Sequence, residues 1–69
     1  MKVYLELITD FGTYSCEHLD VDEEGYNKLK EYVRNYFTEI FEAYLQDGSF
    51  IVVPPAMLAH SHLFIRLTE

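Results

Sequence analysis

Basic residues are scarce in this chain: five Lys and Arg stand against twelve Asp and Glu, a formal charge of −7 over 69 residues. A nucleic-acid binder presents positive surface to phosphate, so direct nucleic-acid binding is not expected. Cysteine is nearly absent as well. A lone Cys16 rules out a disulfide within the chain and fits a reducing compartment. No stretch approaches the roughly 20 apolar residues of a membrane span. Met1-Lys2 runs directly into strand-like sequence without an apolar signal region, so a cytoplasmic location and no membrane partner are the expectations. The three glycines, Gly12, Gly25 and Gly48, are too scattered for a phosphate loop, and no nucleophile elbow is present. Carboxylates are plentiful, but their spacing reads as helix caps and solvated positions rather than a general acid/base pair. No catalytic residues and no cofactor are therefore assigned, and the expectation is a protein that is not an enzyme.

The dominant feature that is present is the stretch from Asp20 to Gly48, which reads as one long amphipathic helix. Tyr26, Leu29, Val33, Tyr36, Phe37, Ile40 and Tyr44 fall at three- and four-residue steps on one face. Lys28, Glu31, Asn35, Thr38, Glu39, Glu42 and Gln46 take the other. Asp20 with Glu23 makes a loose capping box. Asp22 as N-cap would instead set Val21 and Tyr26 as a hydrophobic staple. Glu23 and Glu24 then occupy the first turn, where the helix dipole favours them. Gly48 after Asp47 is the expected C-cap.

Strands flank this helix. Lys2 to Thr9 alternates, with Val3, Leu5 and Leu7 on one face, and Asp10-Phe11-Gly12 reads as a three-residue hairpin loop. Thr13 to Leu19 returns, with Tyr14 and Cys16 expected to face the helix. Ser49 to Val53 is a short β-branched run ended by Pro54-Pro55. Pro55 opens a single helical turn. His62 to Thr68 alternates again, with Leu63, Ile65 and Leu67 inward and Tyr4, Ile8 and Phe64 on the sheet's other face. The expected fold is α+β: one domain over residues 1–69, β-β-α-β-β, an antiparallel sheet packed on one long helix.

Domains this short bury only about 60% of their unfolded surface and are marginal alone. From Tyr32 onward the helix's apolar arc widens, because Phe41 and Leu45 lie to one side of the stripe and Tyr32 to the other. One sheet cannot cover so wide an arc, so Tyr32, Phe41 and Leu45 are the expected interface of a homo-oligomer, most simply a dimer. Aromatic residues, 16% of the chain, suit such surfaces.

Five acids, Glu17, Asp20, Asp22, Glu23 and Glu24, fall within eight residues. The plain reading is solubility and helix capping. The sharper one is a recognition surface for an unidentified protein partner, which the protein would inhibit or regulate. One version is a phage-type DNA mimic, with these carboxylates and Glu31, Glu39 and Glu42 along the helix edge standing in for phosphates. The alternative is a small-molecule-binding or sequestering protein with a pocket at the subunit interface, formed by Tyr32, Tyr36, Arg34 and the histidines. Cys16, His18, His60 and His62 would make an acceptable zinc set if the second and last strands were neighbours, but their spacing matches no common zinc module, and no metal site is assigned.

Overall fold

Strand β1 (Lys2–Thr9) is the axis of the fold in a computed structural model, which describes residues 1–68. Glu69, the last residue of the expected domain, lies outside the described residues. On one side β1 pairs along most of its length with β6 (His62–Leu67). Its other side is shared. β2 (Gly12–Ser15) pairs with Glu6 to Thr9, and β3 (Leu19–Asp20) pairs with Lys2 and Val3. All these pairings are antiparallel, and with the helices they make the α+β fold that the alternating residues predict.

The long helix is where structure and sequence reading part. Helix α1 runs only over Glu23–Asn35, followed by a 3-10 turn at Tyr36–Thr38. β4 (Phe41–Tyr44) and β5 (Phe50–Val53) then form an antiparallel hairpin where the second half of the helix was expected. Phe41, Ala43, Ile51 and Val53 turn inward while Glu42, Tyr44, Phe50 and Val52 face solvent, a period of two rather than 3.6. Thr38 closes the helical segment, its hydroxyl donating to the Asn35 carbonyl oxygen at 2.8 Å.

Gly48 accordingly serves a hairpin rather than a helix end. The Gly48 N–H donates to the Leu45 carbonyl, the Leu45 N–H to the Ser49 carbonyl, and Gly48 takes φ +91°, the left-handed residue of a three-residue hairpin loop. At the first hairpin the expected three-residue loop is one residue shorter. Thr9 pairs directly with Gly12, leaving Asp10-Phe11 as the loop, and Gly12 alone takes the positive φ, +152°.

The start of α1 settles the choice between caps. Asp22 accepts a 2.7 Å bond from the Gly25 N–H, the N-cap geometry that satisfies one orphan donor of the first turn. Asp20 lies in β3 instead, opposite Lys2, with its carboxylate 3.6 Å from the Met1 amino group.

The two hairpins join at one place. Cys16 bridges antiparallel to Leu45, with Glu17 N–H donating to the Tyr44 carbonyl and Gln46 N–H to the Ser15 carbonyl. The sheet therefore continues from β2 onto β4 and ends at β5. Inside its curve sit Leu5, Leu7, Cys16, Phe41, Val53, Leu58 and Leu63, with Leu29, Val33 and Tyr36 of the helical segment packed against them. Phe41, Leu7, Leu58 and Val3 are the most fully enclosed large side chains, each contributing about 1.5–3 kcal/mol by burial. Ile40 and Leu67, both expected inward, are exposed. α2 (Pro55–Leu58) is the single turn expected after Pro54, and it buries Leu58. No helix among the described residues is long and apolar enough to cross a membrane.

Candidate functional site

The five clustered acids stay at the surface, but they do not share one role. Asp22 is committed to the helix cap, Asp20 lies beside the Met1 amino group, and Glu24 pairs with Lys28 one turn on at 3.6 Å. Glu23 points to solvent in the first turn. Glu17 sits apart from the helix, on the sheet, where its backbone joins β4. A row of carboxylates along one helix edge does not form. Glu39 and Glu42 lie beyond α1, and Glu31 is held by Arg34.

The expected interface residues also separate. Phe41 is 1% exposed and belongs to the core, so it presents nothing to a second copy; the arc it seemed to widen is the inner face of β4. Leu45 packs against that core at the hairpin junction, and only Tyr32 keeps substantial exposure. The apolar surface lies elsewhere. On the outer face of the β4–β5 hairpin, Tyr44, Phe50 and Val52 are each more than half exposed, and the Tyr44 and Phe50 rings are 4.9 Å apart. Glu42 shares this face, and Glu17 meets Tyr44 across the junction. The sheet's other face, which carries Tyr4, Ile8 and Phe64, is broken by polar groups. Arg66 lies over the Phe64 ring at 4.5 Å while bonding Glu6, and His18 stands edge-on to Tyr4 at 5.3 Å.

Between α1 and the hairpin is a cleft of about 300 Å³ bordered by Leu5, Cys16, Leu29, Tyr32, Phe41 and Ala43, with Glu17, Leu19, Glu42 and Tyr44 completing its lining. Its floor is core, since Leu5, Cys16 and Phe41 are buried, and its rim is the exposed Tyr32, Leu19 and Tyr44. Burial pushes the Cys16 thiol up, keeping it neutral. Burial also raises Tyr32, and the nearby charge of Glu39 adds to the effect, as does Cys16. No Lys or Arg lines the cleft.

The chain matches no protein-family model, and neither the curated proteins nor the solved structures searched gave a significant match.

The zinc reading fails on topology. β2 and β6 lie on opposite sides of β1, so Cys16 and His18 are kept from His60 and His62. Cys16 faces the core while His18 packs against Tyr4 on the outer face. Among the described residues, no group of three His, Cys, Asp or Glu side chains is placed to hold a metal ion. Tyr36 and Arg34 do not join Tyr32 either. The Tyr36 hydroxyl is 2.9 Å from both the carbonyl and the hydroxyl oxygen of Ser61, and Arg34 pairs with Glu31. The residues missed by sequence reasoning are Tyr44, Phe50 and Val52. Their signal was available: Asp47-Gly48 between two runs that alternate at period two is a hairpin signature.

Proposed function

We propose that this is a non-enzymatic, homo-oligomeric interaction protein whose acidic and aromatic surface engages a basic protein partner and regulates it. The observation that carries the reading is the outer face of the β4–β5 hairpin: exposed Tyr44, Phe50 and Val52 beside the carboxylates of Glu42 and Glu17, with no base on the hairpin. Three of the five bases are already tied to Glu24, Glu31 and Glu6, so the chain's excess negative charge is left for another molecule. Aromatic anchors ringed by charge are what a recognition surface uses for affinity and for steering respectively. The DNA-mimic version lacks its row of carboxylates on the helix edge, and the partner's basic surface is the part of it retained.

Oligomerisation is supported by β5. Among the described residues this strand pairs only with β4. The Leu45–Ser49 bond fixes which amides face β4, and it leaves those of Phe50 and Val52 pointing to the open edge. Pairing with a second copy about a two-fold axis at Ile51 sets Phe50 opposite Val52 twice, along an uncharged strip where two −7 chains can approach. Val52→Lys should convert a dimer seen by light scattering into a monomer. A parent chain that is monomeric at micromolar concentration would contradict the proposal.

The partner is sought by capture from lysate at low salt, and its association is then timed across a salt series. The account predicts a steep fall in on-rate with salt, and a slower, less salt-dependent on-rate for Glu17→Gln/Glu24→Gln with the fold unchanged. An on-rate indifferent to both would refute the acidic surface. The cleft favours a second reading, sequestration of a small molecule, within one chain rather than between subunits.

A further inference from the structure

We propose that the cleft between α1 and the β4–β5 hairpin binds a small lipophilic ammonium compound: an aromatic or branched aliphatic body carrying one positive charge. The inference rests on the sequestering reading and gives its ligand a chemical class. Three features of the cleft select that class.

Size is the first. A cleft of about 300 Å³ stands at the lower end of the range for small-molecule sites, enough for a body of about ten heavy atoms. The second is the wall. Leu5, Leu29, Phe41 and Ala43 are apolar, and Phe41 and Leu5 are held rigid by the core, so the shape persists without a ligand. Cys16, 5% exposed, is a free thiol in this wall, and Tyr32 borders it. Both are neutral and offer polar contacts without charge, and the Tyr32 ring, 40% exposed, offers a π face to a cation.

Charge is the third. Glu17 and Glu42 border the cleft, Glu39 is near enough to act on Tyr32, and no Lys or Arg lines the site. An anionic ligand would be repelled by all three carboxylates. A neutral one would gain the apolar contacts alone. A cation gains both, and the gain is electrostatic, so it weakens with salt.

The test uses the full chain and three probes of one shape, 2-phenylethylamine, 2-phenylethanol and 3-phenylpropanoate, titrated while amide NMR shifts are followed. The amine should shift the amides of Cys16, Leu29 and Ala43 saturably, and bind at least about fivefold tighter than the alcohol at low salt, as one ring–cation contact plus a nearby carboxylate provides. The carboxylate probe should leave the spectrum unchanged. Glu17→Gln/Glu42→Gln, at exposed positions that leave the fold intact, should bring amine and alcohol to equal affinity. Ala43→Leu should fill the cleft and abolish both, and its dispersed spectrum checks that it folds. Should that variant unfold, the glutamate pair still decides the matter.

Alcohol binding without any preference for the amine would overturn the ligand class while sparing a sequestering role. No saturable shift with amine or alcohol up to about 10 mM, where fragments of this size are expected to bind, would overturn both. Shifts that map outside the cleft, or that survive in a folded Ala43→Leu, would overturn the site.

Discussion

Replacing Phe41 by Leu and Ile40 by Ala, in separate variants, opposes the hairpin to a helix most economically, because the two arrangements rank the costs in reverse order. Phe41 is 1% exposed and Ile40 is 56% exposed. Burying a Phe side chain fully stabilises by about 1.5–3 kcal/mol relative to leaving it in water, before any cavity cost. Truncation to Ala would cost about 3–5 kcal/mol, comparable with the total stability of about 3–10 kcal/mol expected for a domain of this length. Leu keeps most of the volume and should cost about 1–1.5 kcal/mol, which urea unfolding followed by circular dichroism can measure. Ile40→Ala should cost less than about 1 kcal/mol, since half of its surface is already in water. Had residues 36–47 been helical, Ile40 would lie mid-stripe and lose about 2–5 kcal/mol, while Phe41 would be the cheap position. An Ile40→Ala variant less stable than Phe41→Leu would refute the strand assignment.

Other outcomes follow from single contacts. Tyr36→Phe removes a hydroxyl bonded at 2.9 Å to two oxygens of Ser61 and should cost about 1 kcal/mol in urea; a variant as stable as the parent would mean that this bond contributes nothing. Cys16, buried and neutral, should react with a disulfide reagent at pH 8 at least about 100-fold more slowly in the folded chain than in denaturant. Because its folded pKa is raised, the stability it contributes is complete below the ordinary thiol value of about 8.5 and declines as pH rises beyond it. Cys16→Ala should flatten that alkaline decline, whereas an unchanged slope would leave Tyr32 as its source. The Ser49 backbone N–H, with the Ser49 hydroxyl, holds the Asp47 carboxyl below the usual carboxylate range. Its contribution is present above the ordinary value of about 3.9 and is lost as pH falls through the folded one, so Asp47→Ala and the parent should differ at pH 7 and converge by about pH 2–3.

Most of the sheet was legible from the residues because alternation is unambiguous where one face is apolar throughout. Val3, Leu5 and Leu7 lie inward as read, as do Tyr14, Cys16 and Leu63. Pro54-Pro55 stops β5 and starts α2 because a proline cannot donate to a ladder yet suits the first helical turn. The stretch from Tyr36 to Gly48 misled because it satisfies two periods at once. Tyr36, Phe37, Ile40 and Tyr44 fit a helical stripe, while Phe41, Ala43 and Leu45 alternate with Glu42, Tyr44 and Gln46. Asp47-Gly48 serves equally as a helix stop and as a hairpin loop. What decides is tertiary: the edge of Ser15, Cys16 and Glu17 offers backbone partners that a helix there would leave unpaired. The outer hairpin face was readable only through the period-two alternative around Asp47-Gly48, whereas the cleft was not, since it exists only once β4 joins the edge at Cys16.

The account turns on that hairpin, and proton–proton contacts across it test it most directly. The Leu45–Ser49 bond makes Tyr44/Phe50 and Glu42/Val52 the closely spaced, non-hydrogen-bonded pairs of the ladder. Strong Hα–Hα nuclear Overhauser effects should therefore appear between Tyr44 and Phe50 and between Glu42 and Val52. Their absence, with helical contacts between residues three apart from Ile40 to Leu45, would contradict the hairpin and, with it, both the proposed surface and the cleft.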